Sequence, residues 1–351
     1  MSTISVLLRV RRTDGRERRQ CARDREVVHL ASRIYSIVAT LSGVFRWEAI
    51  VTTEFGVTLQ SGADPAAFAR LAEDVGFDYL ACGEHLVFHG PTTNAFISLA
   101  FAAGVTSRIK LVSAVTLLPL YQPVVAAKLA ASLDVVSGGR FTLGVGVGGE
   151  YPREFEAAGV PVESRGARTD EALEVIDRLL TATEVSYDGR FATFADVTLA
   201  PRPRLRTPFW IAGRRAAVLR RVARWGDAWL PYLRTPEQVA QGRAAIDGYA
   251  RAEGKAGWAG RTALFAFTTV DRDGDRARTM AEEQVGRTYR QDFSAFAAKY
   301  LIAGTPAECV ARLREYLAVG VDVVIFRIAC PRREADTMLH LLAEEVVPHL
   351  R

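Results

Sequence analysis

The chain has 351 residues, 49% of them hydrophobic and 24% charged, enough apolar material to bury a substantial core. Its formal net charge of +5 is confined to one end: residues 1–50 hold ten Arg and no Lys against five acids, and the other 301 residues carry 35 basic and 35 acidic groups. A neutral folded body argues against nucleic-acid binding, and no apolar run is long enough to span a bilayer.

Residues 1–50 differ in character from the rest of the chain. They are Arg-rich and aperiodic, with one short apolar run, Ile34 to Phe45, between Arg33 and Arg46. The run lacks a small-residue cleavage site, and the five acids count against a transit peptide. We expect an N-terminal extension over 1–50 and a folded domain over 51–351, with Val51 as the native initiator.

From Glu54 onward, strands and helices alternate. Phe55 to Gln60 reads as a strand; Asp64 then caps a helix with Pro65 at its first position and Phe68, Leu71, Ala72 and Val75 on one face. Tyr79 to Cys82 is a second strand and Asn94 to Val105 a second helix. Ile109 to Leu118 is nearly all apolar, as a parallel strand covered on both faces requires. A helix from Pro123 to Val136 leads to a strand at Phe141 to Val147. Phe209–Ala212, Asp227–Leu230, Thr262–Val270 and Val321–Ile328 complete a set of eight strands. Thr235-Pro236 and Thr305-Pro306 open further helices, and Tyr187 to Arg190 turns a small hairpin outside the main pattern. Eight strands alternating with helices over about 300 residues predict a (β/α)8 TIM barrel, with an open doubly wound sheet as the structural alternative.

Gly144, Gly146 and Gly149 satisfy G-x-G-x-x-G, but the context excludes a dinucleotide site. Tyr151, Pro152 and Pro161 break any continuous helix after them, and Asp170 and Glu171 fall inside a helical pattern with Ala172, Leu173, Ile176, Leu179 and Leu180. The glycines end a fourth barrel strand, where backbone N–H groups are open to a ligand. Cys21, Cys82, Cys309 and Cys330 have no C-x-x-C spacing and read as reduced thiols of a cytoplasmic protein. The five histidines offer no metal motif.

Barrel function sits at the C-terminal strand ends. There the sequence presents Glu84 and His85, then Ser113 to Thr116, then Val147, Gly148 and Gly149, then Ala212, Gly213 and Arg214. His85 is the acid/base candidate, because imidazole exchanges a proton near neutral pH. Glu84 either orients it or is solvated. Arg214 and Arg215, opening a helix beside Gly213, have the chemistry to hold a phosphate or to lie exposed. Arg165 and Arg168 read as surface salt-bridge partners, and Trp225 to Trp229 as core.

These residues resemble the luciferase-like monooxygenase superfamily, in particular its coenzyme F420-dependent oxidoreductases. The resemblance is carried by FGVTLQ (55–60), GFDYLACGEHL (76–86), the run 117–149 continued through 154–176, PFWIAG (208–213) and RWGDAWLP (224–231). It implies a bacterial luciferase-like TIM barrel binding a flavin or deazaflavin at the strand C-termini. It further implies a non-prolyl cis peptide at Ala114–Val115 under the ring, next to Ser113, and cofactor contacts from Val147, Gly148 and Gly149. Ala212, Gly213 and Arg214 would form the phosphate-binding turn, with His85 beside the hydride-exchanging carbon. The implied activity is F420-dependent hydride transfer to or from a small organic substrate, in a cytoplasmic homodimer. The alternatives are an FMN-dependent monooxygenase using reduced flavin and oxygen, and a non-catalytic flavin-binding barrel. Three departures, Glu84 for the usual Asp, Gly149 where sugar-phosphate dehydrogenases carry Glu, and a short loop to Pro91 and Asn94, argue against glucose-6-phosphate as substrate.

Overall fold

The computed structural model describes residues 53–60 and 64–351; the expectations for residues 1–50, and Cys21 with them, lie outside these. In chain order the strands are β1 (Glu54–Thr58), β2 (Tyr79–Cys82), β3 (Lys110–Ser113), β4 (Thr116–Leu117), β5 (Phe141–Gly146), β6 (Val185–Asp188), β7 (Thr193–Val197), β8 (Phe209–Ala212), β9 (Ala228–Leu230), β10 (Arg261–Val270), β11 (Ile302–Gly304) and β12 (Val323–Ile328). Parallel pairing runs β1-β2-β3-β5-β8-β9-β10-β12 and returns from β12 to β1, closing an eight-stranded barrel. The fold is a TIM barrel. Strand β11 adds to β10 outside the ring, and β6 and β7 form the antiparallel hairpin expected around Tyr187 to Arg190.

Helix starts follow local chemistry. The Asp64 carboxylate accepts from the N–H groups of Ala66 and Ala67 at the head of helix Pro65–Asp74. Thr235 and Thr305 each form a capping box, with Gln238 and Glu308, before a proline at the first helical position. Helices Pro123–Val136 and Arg165–Thr181 bury Ala126, Ala130, Leu173, Ile176 and Leu179 against the barrel exterior, in the main apolar layer.

Inside the ring a second, smaller core contains Tyr79, Ala81, Val112, Trp210, Ala228, Ala263, Val323 and Ile325. These alternate with outward residues such as Leu80, Leu111, Val324 and Phe326, the period of two that a strand imposes. Large inward side chains need small neighbours. A Cβ on Gly56 would lie 2.5 Å from Tyr79 Cβ and 2.6 Å from Ile325 Cδ1, so glycine is what lets β1 pass them.

The apolar run Ile109 to Leu118 is not one strand. It splits into β3 and β4 around Ala114 and Val115, whose peptide is cis. Only β4 continues the pairing with β5, at Thr116–Val145 and Leu117–Gly146. Trp229 is fully buried, donating its indole N–H to the Gly213 carbonyl at 2.9 Å, which agrees with a core role. Among the described residues no helix is long and apolar enough to cross a membrane.

Candidate active site

The strand C-termini open into a cavity of about 510 Å³, within the range of small-molecule and cofactor sites. Alternation carries one residue from each strand or the position just past it inward to its wall: Thr58, Gly83, Ala114, Gly146, Ala212, Leu230, Phe267 and Arg327 all border it. Of the residues expected from the sequence, Glu84, His85, Ala114, Val115, Val147, Gly148, Ala212 and Gly213 are brought together here.

Three others are not on the wall. Ser113 is fully buried in the strand layer, where its hydroxyl donates to the Gly144 carbonyl and accepts from the Gly144 N–H, both at 2.9 Å. A Cβ on Gly144 would stand 1.7 Å from Ser113 O, so this pair is a strand-packing device. Gly149, at φ +100°, turns the chain against the Arg165 side chain. Arg214 is exposed and lies over the Tyr232 ring, 5.0 Å from its centroid.

The glycines also differ from expectation in what fills their empty side. A Cβ on Gly146 would meet Val115 Cγ2 at 2.4 Å, and one on Gly148 would meet the Phe155 ring at 3.0 Å. The missing side chains of Gly146 and Gly148 make room first for protein, while 146–148 border the cavity.

His85 sits on the loop leaving β2. Its Nδ1 is 3.2 Å from Glu154 Oε1, and the Leu86 N–H donates to the same oxygen at 2.6 Å. Glu154 is 1% exposed and His85 24%, so the carboxylate is interior and the ring reaches the cavity. With Nδ1–H given to Glu154, Nε2 is the nitrogen free to exchange a proton. Phe88 stacks on the imidazole at 4.0 Å and 14°, fixing its plane.

Glu84 is neither solvated nor the partner of His85. It is 7% exposed and accepts four hydrogen bonds, from Asn94 Nδ2, the Ala95 and Leu117 N–H groups and the Tyr121 hydroxyl, at 3.0–3.1 Å. Burial raises its pKa despite these donors, and burial with the Glu84 charge raises that of Tyr121. Glu84 therefore ties the β2 loop to helix Ala95–Val105 and to β4. Sequence reasoning missed Glu154, which stands 69 residues from its histidine.

Arg165 and Arg168 also depart from expectation. Neither forms an ion pair among the described residues. Arg165 donates to the Val162 carbonyl at 2.6 Å, and Arg168 donates to Ser164 Oγ and covers the Phe191 ring.

Beyond β8 and β9 the pattern suits an anion. Arg234 Nη2 donates to the Arg214 carbonyl at 2.5 Å, while its Nε is buried with no partner among the described residues. Burial lowers the Arg234 pKa, and the nearby Arg214 charge lowers it further. Arg214, next to Gly213 and over Tyr232, and Arg234, bonded to the Arg214 backbone, are two cations adjoining the cavity wall with the chemistry to hold a phosphate. Among the described residues no group of three or more His, Cys, Asp or Glu side chains is placed to hold a metal.

A family model described as luciferase-like monooxygenase matches residues 48–323. The chain belongs to the luciferase-like monooxygenase family. A curated relative in it, the F420-dependent glucose-6-phosphate dehydrogenase of Beutenbergia cavernae, is 29% identical over 326 residues, covering 82% of this chain and 93% of the relative. Among solved structures of this fold, an F420-dependent secondary alcohol dehydrogenase in complex with an F420-acetone adduct superposes with a TM-score of 0.76 at 19% identity, covering 86% of this chain and 99% of that one. The oxygenating constituent of 3,6-diketocamphane monooxygenase from Pseudomonas putida, in complex with FMN, superposes with a TM-score of 0.71 at 16% identity, covering 86% and 99%. At these identities the two structures establish the luciferase-like barrel alone.

Proposed function

We propose that this protein is a coenzyme F420-dependent oxidoreductase that moves a hydride between the deazaflavin and a small organic substrate. The observation that carries the reading is His85, held by the buried Glu154 and presented at the mouth of the barrel cavity. Extended similarity to an F420-dependent dehydrogenase favours this cofactor over FMN.

The residues present fit such a group. The backbone at Gly146, Val147 and Gly148 borders the cavity, and Arg214 and Arg234, adjoining the wall residues Gly213 and Tyr232, would hold a phosphate at its edge. The deazaflavin, when bound, supplies the hydride chemistry, and the chain supplies position, dryness and a proton. His85 Nε2 gives the proton to a substrate oxygen as hydride arrives at the adjoining carbon, or takes it in the reverse direction. Glu154 fixes the tautomer and stabilises the imidazolium that forms. Phe88 and Tyr289 on the wall keep water from the reacting atoms. Glu84 acts on this site as a positioning residue through the loop that it anchors.

We further place this activity in the cytoplasm, in a homodimer with no nucleic-acid or membrane partner and with residues 1–50 outside the catalytic domain. The neutral charge balance after residue 50 and the buried, unpaired thiols of Cys82, Cys309 and Cys330 support that setting.

Titration of the purified protein with F420 and, separately, with FMN tests the assignment. We expect saturable binding of F420 and at least tenfold weaker binding of FMN. FMN binding without F420 binding would move the protein to the flavin monooxygenases. A site that binds F420 but turns over no alcohol, aldehyde or ketone, in wild type or in His85→Ala, would leave a non-catalytic cofactor-binding barrel.

A further inference from the structure

Arg327 is the second-last residue of β12, and the alternation that turns Val323 and Ile325 into the barrel turns its side chain inward as well. It borders the cavity between Thr58 on β1 and Phe267 on β10. A half-buried guanidinium on a cavity wall normally has a carboxylate within reach, because its planar fork matches one in charge and shape. This one does not. Among the described residues it forms no ion pair, and its one protein hydrogen bond is a long contact of 3.4 Å to Thr58 Oγ1.

Its electrostatic neighbours are the Tyr289 hydroxyl and the thiols of Cys82 and Cys330. Burial raises the pKa of all three, so they stay neutral at physiological pH and give no counter-charge. The carboxylates on the cavity wall are engaged elsewhere. Glu84 takes four donors near β4, and Glu150 takes the Tyr232 hydroxyl at 3.1 Å. Arginine stays protonated in proteins, so the cavity carries a standing positive charge aimed at its contents.

We propose that Arg327 receives a carboxylate carried by the substrate, which makes the compound oxidised or reduced here a small organic monoanion with an apolar body. The proposal rests on the reading of the cavity as a deazaflavin site. In the eight-strand ring β12 is four strands from β5, hence diametrically opposite the glycine backbone assigned to the cofactor. It is three strands from β8, where Arg214 and Arg234 would hold the phosphate. The anion at Arg327 therefore belongs to the substrate and not to the cofactor's tail. One planar guanidinium matches a carboxylate in charge and shape, whereas a phosphate dianion would call for a second cation that this wall lacks. Phe265, Phe267 and Tyr289 supply the apolar surround. His85 lies on the loop leaving β2, two strands away in the ring, so a carbonyl or hydroxyl carbon can sit between the proton donor and the anchored carboxylate.

The test uses the purified full chain, with benzoate as the monoanionic probe and benzamide as its neutral match, by calorimetry. We expect benzoate to bind at least tenfold more tightly than benzamide. Arg327→Gln should remove that preference while changing F420 affinity less than about threefold, since truncating one partner of a buried charge pair is worth tenfold or more. If Arg327→Gln does not fold, Arg327→Lys keeps a point charge without the fork and should weaken benzoate while leaving benzamide unchanged. Equal affinity for the two probes in the wild type would overturn the proposal. So would a parallel loss of F420 and benzoate in the variant, which would give Arg327 to the cofactor's anionic tail. If FMN and not F420 binds while the benzoate preference depends on Arg327, the cofactor reading fails and the carboxylate site stands.

Discussion

The two ends of the barrel use charge in opposite ways. At the N-terminal end nearly every charge meets its opposite. Glu54 lies between Lys110 and Arg261, Asp78 accepts from the Phe55 N–H and Arg351, and Asp227 accepts from the Phe209 N–H and Arg206. Asp322 likewise accepts from the Thr262 N–H and lies 3.7 Å from Arg243. Each of these three aspartates stands just before one strand and ties down the first or second N–H of its neighbour. At the C-terminal end Arg327 has no counter-ion among the described residues, Glu84 is charged only against the cost of burial, and His85 keeps one nitrogen free there. The bottom uses its polar groups to close the ring, and the top directs them at the cavity.

The contrast can be broken most sharply at His85. His85→Ala should lower turnover by about 10²–10⁴-fold, the usual worth of a general acid or base. Unchanged turnover would remove the top face from the chemistry. Glu154→Ala should do two things at once, because it strips the Leu86 N–H and the His85 ring of a buried partner. We expect about 2–4 kcal/mol of lost stability in urea and a fall in kcat with KM less affected. Asp322→Ala should do one thing only: a loss of about 1–3 kcal/mol with kcat/KM unchanged. A change in kcat/KM there would blur the division between the ends.

The smallest effect is in pH. Burial would raise the Glu54 pKa, but hydrogen bonds from Lys110 and Arg261 hold it below its ordinary 4.5. Its stabilisation is present above 4.5 and disappears as pH falls through the lower folded value. Glu84 has the reverse sign. With a folded pKa above 4.5, it opposes folding at neutral pH, and that penalty is relieved as pH falls through the folded value toward 4.5. Denaturation curves from pH 3 to 7 should show Glu54→Gln losing about 1 kcal/mol at neutral pH and converging with wild type in acid, because these pairs are partly solvated. Convergence at neutral pH instead would reverse the assignment.

Much of this was legible in the sequence. Asp64-Pro65, Thr235-Pro236 and Thr305-Pro306 announce helix starts through local capping chemistry, and the eight apolar strands announce the ring. The interruption of Ile109 to Leu118 was not legible in its apolar pattern, because neither Gly nor Pro marks it; only the family resemblance pointed to the cis peptide at Ala114–Val115, where the structure has one. Glu154 could not be paired with His85, since only the closed barrel brings residues 69 apart together. Ser113 was read as a strand-end residue beside the cofactor; it does end β3, but its hydroxyl spans β3 and β5 within the wall. Arg327 did leave a signal. In Val323–Val324–Ile325–Phe326–Arg327 the period of two assigns the arginine to the same inward face as Val323 and Ile325, which an apolar-run reading passes over.

A crystal structure of the protein with F420 bound tests the central claim most directly. The account predicts ring density along the backbone of Val147 and Gly148, phosphate density between Arg214 and Arg234, and His85 Nε2 facing the open side of the ring. A ring placed against Arg327, or one whose open side faces away from His85, would contradict it.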